Sequence, residues 1–505
     1  MPENSWSDPP SQPVDPLNQH DPLAPLESFM IDDAHPGNLK ASFERGLAGR
    51  RPKAAIALSA VWAVTITLHL VSWGIWFVLG LTLLVGLHTL RLMVARPRSA
   101  PSVFTRENSD DYPYVSLMVS AKNEEAVVSS LVRSLCNLDY PSDRYDLWII
   151  DDYSTDRTPE LLDQLALHYP RLHVVHRPAD AGGGKSGALN QVYPQVKGEF
   201  IAVFDADAQV PTDLLRRVIP LFDRPQVGAV QVRKAVLQGN EGHPRPRNFW
   251  ILGQVAEMAL DSYFQQQRIA IGGVGELRGN GQFVRRQALD SCGGWNEETI
   301  TDDLDLTLRL HFDRWDIDFL MVPAVEEEGV TQAIALWHQR SRWAEGGYQR
   351  YLDYWRLMSR NRLGIGKTID LLVFWLMQYL LPTAAVPDTL MAIARSSPPL
   401  LSPLTGLTVL LSCVGMMIGL RRIHSSDYLL REEALGTERS PQLRPEMPLW
   451  RTVVQSMRGT LYMMHWLLVV ASTTARISVR PKRLKWVKTA HQGTDEVLLD
   501  MPGQS

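Results

Sequence analysis

Phe200-Ile201-Ala202-Val203-Phe204-Asp205-Ala206-Asp207 is five apolar residues running straight into two carboxylates with one small residue between them. A short apolar run closed by polar residues reads as a buried strand. Alternate side chains at the end of a strand converge on one point. Two carboxylates there suit a hard divalent ion such as Mg²⁺, which takes one or two carboxylates together with phosphate oxygens. An isolated Asp-x-Asp is also common as a pair of solvated turn residues, so its neighbours in the chain must decide.

Working outward, the pattern recurs. From Tyr114 onward, apolar runs at Val115–Ser120, Leu147–Ile150, His173–His176, Phe200–Phe204 and Val227–Val232 alternate with helical patterns beginning near Glu124, Thr158, Ser186 and Pro211. This alternation predicts an α/β fold with a mostly parallel sheet and right-handed crossovers. Ligands of such sheets bind beyond the carboxyl ends of the strands. The polar clusters sit there: Ala121-Lys122-Asn123-Glu124, Asp151-Asp152 and Asp205–Asp207. Lys185, in Gly184-Lys185-Ser186-Gly187-Ala188-Leu189-Asn190, supplies a point charge suited to phosphates. Thr301-Asp302-Asp303 opens a helical run, with Thr301 an expected N-cap. In Gln339-Arg340-Ser341-Arg342-Trp343, the planar fork of an arginine can give a phosphate two bonds at once. Aromatics continue to Tyr348, Tyr351, Tyr354 and Trp355, which predicts a helix lying on a membrane surface.

The 505 residues leave room for a large globular domain plus membrane elements, and a net charge of −4 gives no reason to expect a nucleic-acid partner. Three cysteines without paired spacing imply neither a disulfide framework nor a zinc site, which fits a reducing compartment. Residues 1–53 read as a disordered leader without the apolar core of a signal peptide. Residues 54–94 are long enough for two bilayer crossings. Arg50, Arg51 and Lys53 precede them and Arg91, Arg96 and Arg98 follow, predicting a hairpin with both ends cytoplasmic. Apolar stretches at 369–394, 400–420 and 459–475 precede a basic cluster from Arg476 to Lys488. A cytoplasmic tail then requires an even number of spans, with one stretch lying in the interface. The expected order is transmembrane helices over 366–422, a cytoplasmic loop over 423–456, a membrane-associated segment and basic tail over 457–490, and a flexible terminus over 491–505.

Taken in order, Ser120–Glu125, Asp151–Asp156, Gly184–Asn190, Asp205–Asp207, Thr301–Asp303 and Gln339–Trp343 resemble the motifs of inverting family 2 glycosyltransferases, over roughly residues 113–360. That resemblance implies a GT-A fold. Within the family, Gly272–Arg286 is most similar to the membrane monoglucosyldiacylglycerol synthases of photosynthetic bacteria. It follows from the resemblance that Asp207 binds the metal, Asp205 serves the nucleotide side, and Glu124 and Asp152 lie near ribose and base. By the same register Asp303 is the general base, with Asp302 where the family usually carries Glu. Gln339, Arg342 and Trp343 would contact diphosphate and acceptor, and Gly279-Asn280-Gly281 would form a tight turn beside the acceptor. The implied donor is UDP-glucose, the acceptor 1,2-diacylglycerol in the bilayer, and the metal Mg²⁺, with Mn²⁺ as its substitute.

Three other readings are weighed. A processive polysaccharide synthase would need more helices than about four to enclose a pore. A membrane ATPase would use Ala179–Ser186 as a P-loop, yet Ala179 stands where the loop wants Gly and two motifs go unexplained. A catalytically dead binding relative would lack one of the acids.

Overall fold

The computed structural model describes residues 49–99, 101–105, 109–237, 248–435 and 447–480. Most of the expected leader, the basic residues from Lys482 to Lys488 and the expected flexible terminus lie outside the described residues.

Helices α1 (Arg50–Leu70) and α2 (Gly74–Val94) form the hairpin. The turn is tight enough that a side chain at Gly74 would collide with the Leu68 carbonyl. The central domain follows: β1 (Val115–Ala121), α3 (Val128–Cys136), β2 (Tyr145–Asp151), α4 (Thr158–His168), β3 (Leu172–His176), α5 (Gly184–Val192), β4 (Phe200–Phe204), α6 (Leu214–Val218) and β5 (Val227–Val236). Next come α7 (Phe249–Ala270), β6 (Gln282–Arg285), α8 (Arg286–Cys292), α9 (Asp302–Phe312), β7 (Asp316–Glu327) and α10 (Ala333–Ser359).

The strands form one seven-stranded sheet in the order β3-β2-β1-β4-β6-β5-β7. Every pairing is parallel except those of β6, which runs antiparallel between β4 and β5. The reversal of strand order at β1 and β4 opens a crevice at their carboxyl ends. Strand β4 is apolar at every position because both faces are covered. Phe200, Ala202 and Phe204 enter the core beneath α3 and α6, while Ile201 and Val203 enter the core beneath α5, α8 and α9. Strands β6 and β7 add to the expected strands. The first has only four residues, with Gln282 and Arg285 at its ends, and the second carries Pro323 inside its apolar run Phe319–Val325, a residue that argues against a strand interior.

The chain continues through α11 (Ile365–Trp375), a π-helical turn (Leu376–Leu380), α12 (Leu381–Ala394), α13 (Ser402–Leu435) and α14 (Leu449–Val479). Among the described residues, four helical segments are long and apolar enough to cross a membrane: Arg50–Leu70, Gly74–Val94, Ile365–Ala394 and Ser402–Asp427. The expected loop over 423–456 is corrected at both ends. Helix α13 runs on to Leu435 and α14 starts at Leu449. Helix α14 is not one of the four; it packs against α1, α7, α10, α12 and α13. The surface-helix expectation for α10 is also corrected. Tyr348, Tyr351 and Tyr354 are buried within the protein, leaving Trp337 and Trp355 exposed.

Candidate active site

The crevice at the carboxyl ends of the strands opens into a cavity of about 800 Å³. Its wall includes Glu124 after β1, Asp152 after β2, Lys185 in the first turn of α5, and Asp205 and Asp207 after β4. Asp303 in the first turn of α9 and Gln339, Arg342 and Trp343 on α10 complete it. All nine residues expected at the site therefore border one cavity. In particular, Asp207 and Asp303 face a shared space.

Neighbours hold each group in place. Glu124 is buried, and its amide donates to Thr158 Oγ1 at 2.7 Å. Asp152 is paired with the buried guanidinium of Arg177, which also donates to the Gly182 carbonyl at 2.6 Å. This ties the glycine loop to the end of β2. Asp151 turns elsewhere: its carboxylate accepts from the Ser154 amide at 3.0 Å and lies 3.0 Å from His176 Nδ1. It is a loop anchor rather than part of the cavity wall.

Lys185 Nζ donates to Asp205 Oδ1 at 2.6 Å. Burial works against its charge, but Asp205, Asp302 and Asp303 outweigh burial and raise its pKa. Asp207 Oδ2 accepts from the Glu328 amide at 3.0 Å. Among the described residues no three His, Cys, Asp or Glu side chains cluster as a self-sufficient cation site. A hard cation at Asp205 and Asp207 would thus draw its remaining ligands from water and from the phosphates of a bound nucleotide. That donor set fits Mg²⁺ or Mn²⁺, since Mg²⁺ is commonly held by one or two carboxylates and substrate phosphates.

Asp302 and Asp303 open α9, where the positive end of the helix dipole favours carboxylates. Asp303 Oδ1 accepts from the Leu304 amide at 2.8 Å. Enclosure, and then the like charge of Asp302, push the Asp303 carboxyl up to about 6. Burial likewise raises Asp302, whose Oδ2 has no hydrogen-bond partner among the described residues.

Gly279 and Gly281 have φ of 85° and 70°, left-handed values that a side chain disfavours. Their turn presents Asn280, wholly buried, whose Oδ1 accepts from the Asp205 amide at 3.2 Å and whose Nδ2 donates to Glu327 at 3.3 Å. The turn thus abuts the carboxylates, with Gly279 against Asp303. On α10, Trp343 has two cations near its ring: the Arg340 guanidinium 3.9 Å from the ring centre and Lys234 Nζ at 5.6 Å. Arg340 is buried and paired with Glu257 at 2.5 Å, so it braces the helix. Arg342 borders the cavity, where burial lowers its pKa.

Asn280's contacts, Arg177 and the Lys234–Glu327 pair at 3.0 Å are features the motifs do not reveal. Arg177 directly follows β3, so the strand-end rule could have found it. Lys234 is hidden because it lies beyond Val232, where the expected strand stops.

A mostly parallel sheet with carboxylates, cationic side chains and an aromatic around one cleft, flanked by apolar helices, defines a membrane-associated glycosyltransferase. Residues 113–346 match the family described as glycosyltransferase like family 2. The chain is 57% identical to a β-monoglucosyldiacylglycerol synthase of Nostoc sp., over 98% of this chain and 100% of that protein. It is 54% identical to the protein of the same name from Synechocystis sp., over 99% of each. A mannosyltransferase from Pyrobaculum calidifontis, solved with GDP-Man and Mn²⁺, aligns with 82% of this chain and 99% of its own at 19% identity and a TM-score of 0.49. The chain belongs to the β-monoglucosyldiacylglycerol synthase family of family 2 glycosyltransferases.

Proposed function

We propose that this enzyme transfers glucose from UDP-glucose to the free hydroxyl of 1,2-diacylglycerol, with inversion, forming β-monoglucosyldiacylglycerol on the cytoplasmic side of a membrane. The carrying observation is the single cavity bordered by both Asp207 and Asp303. Near full-length identity to synthases named for this product supports the choice of sugar and lipid.

In this reading Glu124 and Asp152 receive the nucleoside. Asp205, oriented by Lys185 and Asn280, and Asp207 would hold Mg²⁺ at the diphosphate end. When bound, the ion supplies positive charge that stabilises the departing diphosphate. Lys185 and Arg342 add fixed positive charge on the same side. Asp303 accepts the acceptor hydroxyl proton as that oxygen bonds to the anomeric carbon. The bond from that carbon to the diphosphate breaks on the opposite face, and its electron pair leaves with UDP. Trp343, stiffened by Arg340 and Lys234, covers the sugar. Confining the lipid beside the donor supplies orientation for a two-substrate step.

The test is to incubate the purified protein in lipid vesicles with diacylglycerol and labelled UDP-glucose or UDP-galactose. A β-linked monoglucosyl lipid is expected. A galactolipid would change the donor, and label retained at the chromatographic origin as polymer would favour the processive reading.

A further inference from the structure

We infer that the catalytic cavity continues between the membrane helices as a chamber that receives an acyl chain of the acceptor and screens its length. This inference rests on the diacylglycerol reading above. The same cavity that borders Asp207 and Asp303 reaches Phe374 on α11, Met377 in the π turn, Thr408 and Ser412 on α13, and Trp466 on α14. Thr408 and Ser412 are four residues apart and so share one helix face. Helices α11 and α13 belong to candidate membrane spans, which puts this end of the cavity at bilayer depth.

Polarity changes along the cavity. The carboxylate end is charged, and the wall then carries Arg268, Arg350 and Asp370. Here Arg268 Nε meets Asp370 Oδ2 at 2.9 Å, and Arg350 Nη1 meets buried Glu276 at 3.2 Å. The Arg268 guanidinium also lies 4.6 Å from the centre of the Phe374 ring. Around Phe374 the wall carries Val373, Met377, Met463 and Trp466, with Thr408, Ser412 and Gln378 as its uncharged polar members. A ligand with a hydroxyl at one end and hydrocarbon at the other matches that gradient.

Hydrocarbon gains little by leaving lipid for apolar protein, because lipid tails are as apolar as leucine. The chamber therefore discriminates by shape. A chain that fits brings the hydroxyl to Asp303, and a longer one is stopped at the α13 wall before the hydroxyl arrives.

The experiment uses the full chain in phosphatidylcholine nanodiscs with labelled UDP-glucose and diacylglycerols of increasing acyl length. Ser412→Trp should lower kcat/KM for long-chain acceptors about tenfold or more relative to short-chain ones, the scale of a blocked apolar pocket. Met377→Ala should move the preference the other way. A second measurement uses the unsubstituted protein and does not depend on either variant folding: a diacylglycerol with a terminal diazirine should label Thr408, Ser412 or Trp466. Labelling confined to outward-facing residues such as Leu83 and Leu410, both exposed, would overturn the chamber. So would equal effects of both substitutions at every chain length. If the unsubstituted enzyme glucosylates no diacylglycerol at all, the acceptor reading fails instead.

Discussion

At the scale of single residues, the proposed reaction divides its chemistry between Asp303 and Asp207. Asp303→Asn keeps the shape of the side chain but cannot take a proton, so transfer should fall by ~10²–10⁴, the usual worth of a positioned base. UDP binding by calorimetry should survive the change; near-normal turnover would remove Asp303 from the role. Its carboxyl, pushed up to about 6, is protonated and idle below that pH and competent above it. The pH profile of kcat/KM should therefore rise through about pH 6 to a plateau. Asp302 contributes to that elevation through like charge, so Asp302→Asn should move the rising limb to lower pH. A limb that stays put would show that enclosure alone sets it. Asp207→Ala should raise the Mg²⁺ concentration needed for half-maximal transfer, by at least the roughly 10–100-fold typical of outer-shell ligand partners. An unchanged Mg²⁺ titration would overturn the metal assignment. These carboxylates are legible in the sequence because each ends an apolar strand or begins a helix. Lys234 is not, and of Asn280 only its turn is, since the contacts of both are made between residues far apart in the chain.

Elements show the same division between what periodicity carries and what packing decides. The strands from β1 to β5 are readable because, like β4, they bury apolar side chains in cores on both faces of the sheet. Strand β6 is not, being four residues long and recruited between β4 and β5 only by tertiary pairing. The aromatic pattern of α10 suggests a lipid-facing helix, yet its tyrosines turn inward: Tyr348 meets Thr383 on α12 at 2.7 Å, Tyr351 packs on Tyr379 of the π turn, and Tyr354 donates to Asp305 on α9 at 2.6 Å. Close helix contact has its own signature in α13. A Cβ at Gly419 would run into the Ala259 carbonyl on α7, and a main-chain atom within a helix cannot swing aside. Small residues let membrane helices approach in this way. Gly419→Val should therefore destabilise the folded protein by about 1–3 kcal/mol, as overpacking does. The thermal midpoint in detergent measures it, and an unchanged midpoint would mean that α7 and α13 are not held this close.

For the molecule as a whole, the charge flanking the α1–α2 hairpin bears on which side of the bilayer the cleft faces. Arginine and lysine flank the α1–α2 hairpin at both ends, and the basic side of a membrane protein is usually cytoplasmic. Arg50 is sunk into the catalytic domain, where it pairs with Asp353 at 2.5 Å and donates to the Glu298 carbonyl at 2.7 Å. The positive flank and the glycosyltransferase domain are thus joined directly, so they share one side of the bilayer. Leu167 on α4 is 86% exposed and is not part of the cavity wall, so Leu167→Cys offers a reporter. Of the native cysteines, Cys136 and Cys292 are buried and Cys413 lies within the span Ser402–Asp427, so the background should be low. A membrane-impermeant maleimide should label the substituted protein in inverted vesicles and in lysed cells, but not in intact cells. Labelling from outside would put the cleft on the far face, away from a cytoplasmic supply of nucleotide sugar. The charge argument and the proposed donor would then fail together, because Arg50 ties the hairpin to the domain proposed to receive UDP-glucose.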